Sequence, residues 1–184
     1  MLKTRDLNDV PALFELLLDP KVYPYVREKA DTLDEYYFVT KQTIEAEKRG
    51  ELISRTILDE YEKPIGTINL FDICHNYGFL ATWLGRPYFG KGYNQIAKEQ
   101  FFNELFFDRG IELIFLKVRR TNQRSIHALL KFPYVLHAND LFPEVFNEVN
   151  KEKDIFELFV ITKEQYLPYA PFTREESTGD EEVS

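Results

Sequence analysis

The spacing of apolar residues divides the chain into helical and extended stretches. After a short apolar start at residues 2–4, Val10, Leu13, Phe14, Leu17 and Leu18 recur on one face of a helix. Asn8 or Asp9 caps this predicted helix, Pro11 sits in its first turn and Pro20 stops it. Thr32 starts a second helix, with Glu35 at the capping-box position, running toward Gly50. Residues 52–58, 64–71 and 77–84 read as three strands, with His75-Asn76 as the turn between the last two, which predicts an antiparallel meander.

A helix over residues 92–109 follows, with Ile96, Ala97, Phe101, Leu105 and the Phe102/Phe106 pair at helical spacing and Gly110 at its end. Residues 111–118 form a strand, 122–131 a short helix ended by Pro133, and 155–162 a final strand after a loop-rich stretch. This order predicts an α/β (α+β) fold with a mixed, mostly antiparallel central sheet flanked by helices.

Composition narrows the class. With 184 residues, 44% of them hydrophobic, the chain suits a single domain over residues 1–170 that needs neither a disulfide nor a structural metal. The net charge of -8 is uneven: Glu175, Glu176, Asp180, Glu181 and Glu182 against Arg174 give the end of the chain half of it. Residues 171–184 are therefore expected to be an acidic, disordered tail. The acidic balance argues against duplex nucleic acid, whose binding draws on Lys and Arg, but leaves room for a small anion held locally. Cys74 has no partner for an internal disulfide, and Met1 to Asp6 does not resemble a signal-peptide core, so a cytoplasmic location is expected. No apolar run approaches the ~18 residues of a membrane span. Cys74, His75, His127 and His137 lack ligand-like spacing, so no metal site is expected.

The segment from Trp83 to Asn94 carries the chemistry. It reads as a strand that passes through Gly90-Lys91-Gly92 directly into a helix. Two glycines around one residue let successive amides converge at a helix N-terminus, where the helix dipole favours a phosphate. The turn is too short for a Walker A loop and lacks the third glycine of the dinucleotide fingerprint.

These residues resemble the GNAT acetyltransferase superfamily, and within it the RimJ/RimL branch of ribosomal-protein N-terminal acetyltransferases. The resemblance rests on Leu2-Lys3-Thr4-Arg5-Asp6-Leu7, Leu18-Asp19-Pro20-Lys21-Val22, Ile65-Gly66-Thr67-Ile68, Trp83-Leu84-Gly85, Tyr88 to Tyr93 and Asn122 with Ser125, in matching order. It implies the acyl-CoA N-acyltransferase fold and acetyl transfer from acetyl-CoA to a primary amine, small or peptide-borne, with homodimers common in the branch. It further implies that Trp83, Leu84 and Gly85 pair with the pantetheine arm of CoA. The amides of Phe89, Gly90, Lys91, Gly92, Tyr93 and Asn94 would hold the pyrophosphate. Asn122 matches a pantetheine-contacting position and Ser125 one near the thioester sulfur.

Asn122 reads equally as the cap of its helix, and Ser125 as an exposed first-turn serine or as a donor to the CoA thiolate. Arg120 and Arg124, in a basic patch with Lys117 and Arg119, are the candidates for the ribose phosphate, against solvated surface charge. Arg86 adjoins Pro87, which replaces the family's usual Gln or Arg. Phe79 stands where the family places its general-base Glu, and Leu129 where it places a Tyr acid, so Asp72 and His75 at the strand turn become the base candidates, with turn polarity as the alternative. Tyr23, Tyr25, Tyr36, Tyr37 and Phe38 fall where the family builds its acceptor cleft. The departures also admit a non-catalytic CoA-binding module.

Overall fold

Short polar side chains fix where the helices begin. The computed structural model describes residues 1–170, so the acidic tail expected over 171–184 lies outside the described residues. Helix α1 (Val10–Leu17) follows a 3-10 turn (Leu7–Asp9) capped by Asp6, whose carboxylate accepts from the Asn8 amide at 2.9 Å. The side-chain cap lies upstream of the expected Asn8 or Asp9. The Asp9 carboxylate is engaged elsewhere, pairing with Lys3 Nζ at 2.7 Å and accepting from Thr56 Oγ1. Val10, Leu13 and Leu17 are buried, while Leu18 is exposed beyond the last turn. Helix α2 (Leu33–Lys48) has the expected capping box between Thr32 and Glu35.

The strands are β1 (Leu2–Thr4), β2 (Ile53–Leu58), β3 (Pro64–Cys74), β4 (Tyr77–Leu84), β5 (Leu113–Arg119), β6 (Leu136–His137) and β7 (Phe156–Thr162). They form one sheet in the order β1-β2-β3-β4-β5-β7-β6. Every neighbouring pair is antiparallel except β4 and β5, which run parallel. That parallel ladder is short: Tyr77, Gly78 and Phe79 oppose Leu113, Ile114 and Phe115. Beyond Phe79 and Phe115 the strands keep only their outer partners, β3 and β7, and a cleft opens between them. On the β3 side, a Cβ at Gly66 would stand 2.1 Å from the Trp83 carbonyl oxygen, so glycine alone permits this approach.

Helix α3 (Tyr93–Asn103) continues as a π-helical segment (Glu104–Asp108). Its buried side consists of Ala97, Lys98, Phe101 and Phe102, followed by Leu105 and Phe106. Ile96, expected at the apolar face, is 51% exposed. Residues two apart on a helix point about 200° apart. Position 98 thus takes the inward direction that residue type had suggested for Ile96.

Helix α4 (Gln123–Leu129) is capped by Asn122, whose Oδ1 accepts from Ser125 N at 3.3 Å. The stretch expected to be loop-rich holds β6 and helix α5 (Pro143–Val149), and α6 (Lys163–Tyr166) follows β7. Phe142, Val145, Phe146 and Val149 share one helical face and pack against Phe115, Leu158 and Val160. At the other end of the sheet, Arg55 on β2 bonds Glu47 of α2 at 2.7 Å and Glu104 of the π-helical segment at 2.9 Å, tying three elements through one buried guanidinium. Among the described residues, no helix is long and apolar enough to cross a membrane.

Candidate active site

The cleft between β4 and β5 is a cavity of about 550 Å³. Strand β4 lines it through Thr82, Trp83 and Leu84, the glycine turn through Phe89 and Gly90, and α3 through Asn94 and Lys98. Asn122, Arg124, Ser125 and Ala128 come from α4 and its cap, while Lys21, Val22 and Tyr25 come from the segment after α1. Among the described residues, the lining carries the cations Lys21, Lys98 and Arg124 and no carboxylate, in a chain whose net charge is -8. This potential is local and suits an anion.

Gly90 and Gly92 have φ of 72° and 87°. A left-handed conformation costs a non-glycine residue ~1–2 kcal/mol. No atom lies within 4 Å of where a Cβ would stand at either position, so the turn faces open space. Gly92 is the N-cap of α3 and supplies no side-chain acceptor. Among the described residues, the amides of Gly90, Lys91 and Gly92 donate to no backbone carbonyl, whereas the Phe89 amide, expected in the same cradle, is taken up by the 3-10 turn and donates to the Arg86 carbonyl at 3.2 Å. Free N–H groups at the positive end of a helix make an anion cradle. Deeper in the cavity wall, Thr82 Oγ1 and Asn94 Oδ1 are buried without a hydrogen-bond partner. Such orphaned groups are uncommon in folded proteins and fit a ligand whose arm carries amide and hydroxyl groups behind an anionic end.

Trp83, Leu84, Phe89, Gly90, Asn94, Asn122, Arg124 and Ser125 are thus brought together in one cavity lining. Gly85, Lys91, Gly92 and Tyr93 border this group without lining the cavity with side chains. Gly85 packs on Leu16, Lys91 Nζ lies 5.7 Å from the centre of the Tyr88 ring, and the Tyr93 hydroxyl donates to Glu60. That hydrogen bond pushes the Tyr93 hydroxyl up to about 12. Arg120 lies outside the lining because Glu157 and Asp154 hold its guanidinium at 2.9 and 2.7 Å. Arg124 instead stacks over the ring of Phe89, the residue before Gly90, at 5.0 Å. Arg86 lies on the surface, 3.9 Å from Asp19.

The two base candidates lie away from the cavity. His75, at the β3–β4 turn with φ 54°, contacts Cys74 Sγ at 3.2 Å. That turn is separated from Trp83 by most of β4, about 20 Å at strand rise. Asp72 is exposed and held by Arg27 at 2.8 Å. Phe79 packs on Phe115 in an apolar cluster, and Leu129 is buried in the core while Ala128 faces the cavity. His127 is exposed and outside the lining. Of the acceptor-side aromatics, Tyr25 lines the cavity, Tyr36 is core, and Phe38 is exposed. Tyr37 lies at the surface, and Tyr23 donates to Asp31.

A side chain that sequence reasoning missed is Lys98. It is 6% exposed, faces the cavity, and has its Nζ 5.7 Å from the centre of the Phe132 ring. Among the described residues it joins no ion pair, and burial lowers its ammonium to about 8. The signal was present: positions 94, 98, 101, 102 and 105 share one helical face.

The family model described as "Acetyltransferase (GNAT) domain" matches residues 1–133. The chain belongs to the GNAT acetyltransferase family. No curated protein matches it. Among solved structures, this GNAT chain is similar to a single-site mutant of spermidine N-acetyltransferase SpeG from Vibrio cholerae, at 16% identity and TM-score 0.68, covering 92% of this chain and 98% of that one. It is similar to FdhC, a nucleotide-linked sugar GNAT, at 18% identity and TM-score 0.71, with 93% of each chain covered. It is also similar to Mycobacterium smegmatis RimJ in complex with CoA-disulfide, at 14% identity and TM-score 0.71, covering 97% of this chain and 88% of that one. At these identities the likeness is one of fold: a seven-stranded, mostly antiparallel sheet flanked by helices. As a GNAT acetyltransferase the chain uses acetyl-CoA as donor and transfers its acetyl group to an amine. The cation-lined cavity, free turn amides and orphaned polar atoms fit that donor.

Proposed function

We propose that this chain acetylates a primary amine, on a peptide N-terminus or a small polar molecule, in the cytoplasm, and that residues 1–170 make up its single catalytic domain. The observation that carries the reading is the cavity between β4 and β5, which pairs an anion cradle with a buried polar wall. The resemblance of the opening segment and the glycine turn to the RimJ/RimL branch favours the peptide acceptor. The amides from Gly90 to Asn94 hold the donor's pyrophosphate, and Lys21 and Arg124 neutralise its remaining phosphate. The backbone of Trp83 and Leu84 aligns the pantetheine arm, and Ser125 faces it from α4.

The acceptor enters from the opposite side. A hollow of about 20 Å³, room for one water, is lined by Arg27, Glu28, Asn69 and Phe71 and shares Tyr25, Thr82 and Trp83 with the donor cavity. The Glu28 carboxylate, which accepts from Thr43 Oγ1 at 2.6 Å, receives the amine proton through that water. Asp72 supports this side indirectly by orienting Arg27. Holding both reactants in one cleft supplies much of the acceleration.

Thiol release from acetyl-CoA, measured against peptides with free N-termini, polyamines, aminoglycosides and amino acids, tests the reading. Release with at least one amine is expected, and Glu28→Gln lowers its rate about 10²-fold without changing CoA affinity. Absence of both thiol release and CoA binding refutes it. The packing of Phe79 against Phe115 and the burial of Leu129 favour a second reading, a CoA-binding module without turnover. Tight CoA binding with no release across the whole panel is its signature.

A further inference from the structure

The depth of Lys98 in the cavity gives it a role distinct from phosphate binding. Asn94 and Lys98 are one turn apart on the same side of α3, so Lys98 originates about 6 Å farther from the glycine turn along the helix. The anion cradle thus lies at one end of the cavity and Lys98 toward the other. The same cavity is lined by Thr82 and Trp83 of β4 and by Ser125 and Ala128 of α4. Phe132, just beyond α4, receives the ammonium against its ring and keeps it along that helix. The remaining charged or titratable groups of the lining are Lys21, Tyr25 and Arg124. Glu99, the next residue on α3, accepts from Gln95, and the buried Tyr134 hydroxyl beside Phe132 has no partner. Among the described residues no carboxylate neutralises Lys98, although a buried cation without a counter-charge is costly. With Leu129 turned into the core, α4 lines the cavity through Arg124, Ser125 and Ala128.

We propose that Lys98 is the proton donor to the departing CoA sulfur. This inference rests on the acetyl-CoA-dependent function above. The acceptor nitrogen forms a bond to the acetyl carbonyl carbon, and the carbon–sulfur bond breaks with its electron pair going to sulfur. Lys98 gives one proton to that sulfur, so CoA leaves as the thiol. The proton lost by the amine passes to the Glu28 carboxylate as proposed above, and neutral Lys98 recovers one from solvent. An ammonium lowered to about 8 is suited to this exchange, because it is charged before the step and gives up its proton more readily than an ordinary lysine. It also lowers the energy of developing thiolate before transfer.

The test titrates the thiol of bound CoA by thiolate absorbance near 232 nm, in parallel with calorimetric CoA binding, for wild type, Lys98→Met and Lys98→Arg. In wild type the bound thiol ionises at least one pH unit below free CoA. Lys98→Met abolishes that shift with CoA affinity changed less than fivefold, and Lys98→Arg, which keeps the charge, retains it. On any acceptor found by thiol release, Lys98→Met and Lys98→Arg both lower kcat about 10²-fold, since arginine stabilises thiolate but does not release a proton. Identical thiol titrations in wild type and Lys98→Met overturn the inference while leaving the proposed function intact, as does a CoA affinity loss of tenfold or more without a change in the titration. Failure of wild type to bind CoA overturns both.

Discussion

Replacing Lys98 with Met tests the burial of its charge without any ligand. Methionine keeps most of the side chain's length and removes the ammonium, so the packing against Phe132 is largely preserved. Burial moves the lysine from its ordinary 10.5 to about 8, a penalty of ~3 kcal/mol on the charged form at 1.36 kcal/mol per pH unit. Below pH 8 folded and unfolded chains both carry the proton, and the native state bears the whole penalty. Between 8 and 10.5 the unfolded chain holds a proton that the folded chain lacks, so wild-type stability rises with pH relative to Lys98→Met. Above 10.5 neither state is charged and the gap closes. Lys98→Met is therefore expected to be more stable by ~3 kcal/mol at pH 7, about 6–12 °C in Tm for a chain of this size, with the advantage fading toward pH 10.5. Denaturant melts followed by the single tryptophan, Trp83, at pH values from 7 to 10.5 provide the assay. A gap that is zero, reversed or independent of pH refutes the account of Lys98 as an uncompensated buried cation.

Three further outcomes follow from the geometry. Gly92→Asp combines left-handed strain of ~1–2 kcal/mol with a negative charge at the anion cradle, so thermal stabilisation by CoA disappears while the apo Tm falls only a few degrees. Arg55→Ala leaves Glu47 and Glu104 without their shared, buried partner and destabilises by ~3 kcal/mol in denaturant unfolding, whereas an exposed pair such as Lys48 with Glu45 contributes at most ~0.5 kcal/mol. Asn122→Ala removes the cap of α4, costing ~1 kcal/mol, and a lining group of the donor cavity; calorimetry with CoA separates the two effects.

Local chemistry was legible in the sequence. Thr32 and Glu35 form their capping box, Gly90 and Gly92 take the left-handed turn, and the three-strand meander pairs as its order implied, because each feature depends on residues close in the chain. The α5 helix was readable as well, since Phe142, Val145, Phe146 and Val149 carry its periodicity, but the polar residues between them masked it. Other features depend on distant partners. Arg120 and Arg124 are alike in sequence, yet Asp154 and Glu157, more than thirty residues away, draw the first out of the site and leave the second over Phe89. Ile96, expected at the apolar face, is exposed while Lys98 is buried, because residue type suggests burial, whereas the direction of the helix face decides it. The separation of β4 from β5 beyond Phe79 and Phe115 is likewise a tertiary property. The sequence by itself determined the turn that can bind an anion. Only the packing of α3 and α4 across the split sheet enclosed that turn in a cavity, because the residues that line it come from segments far apart in the chain.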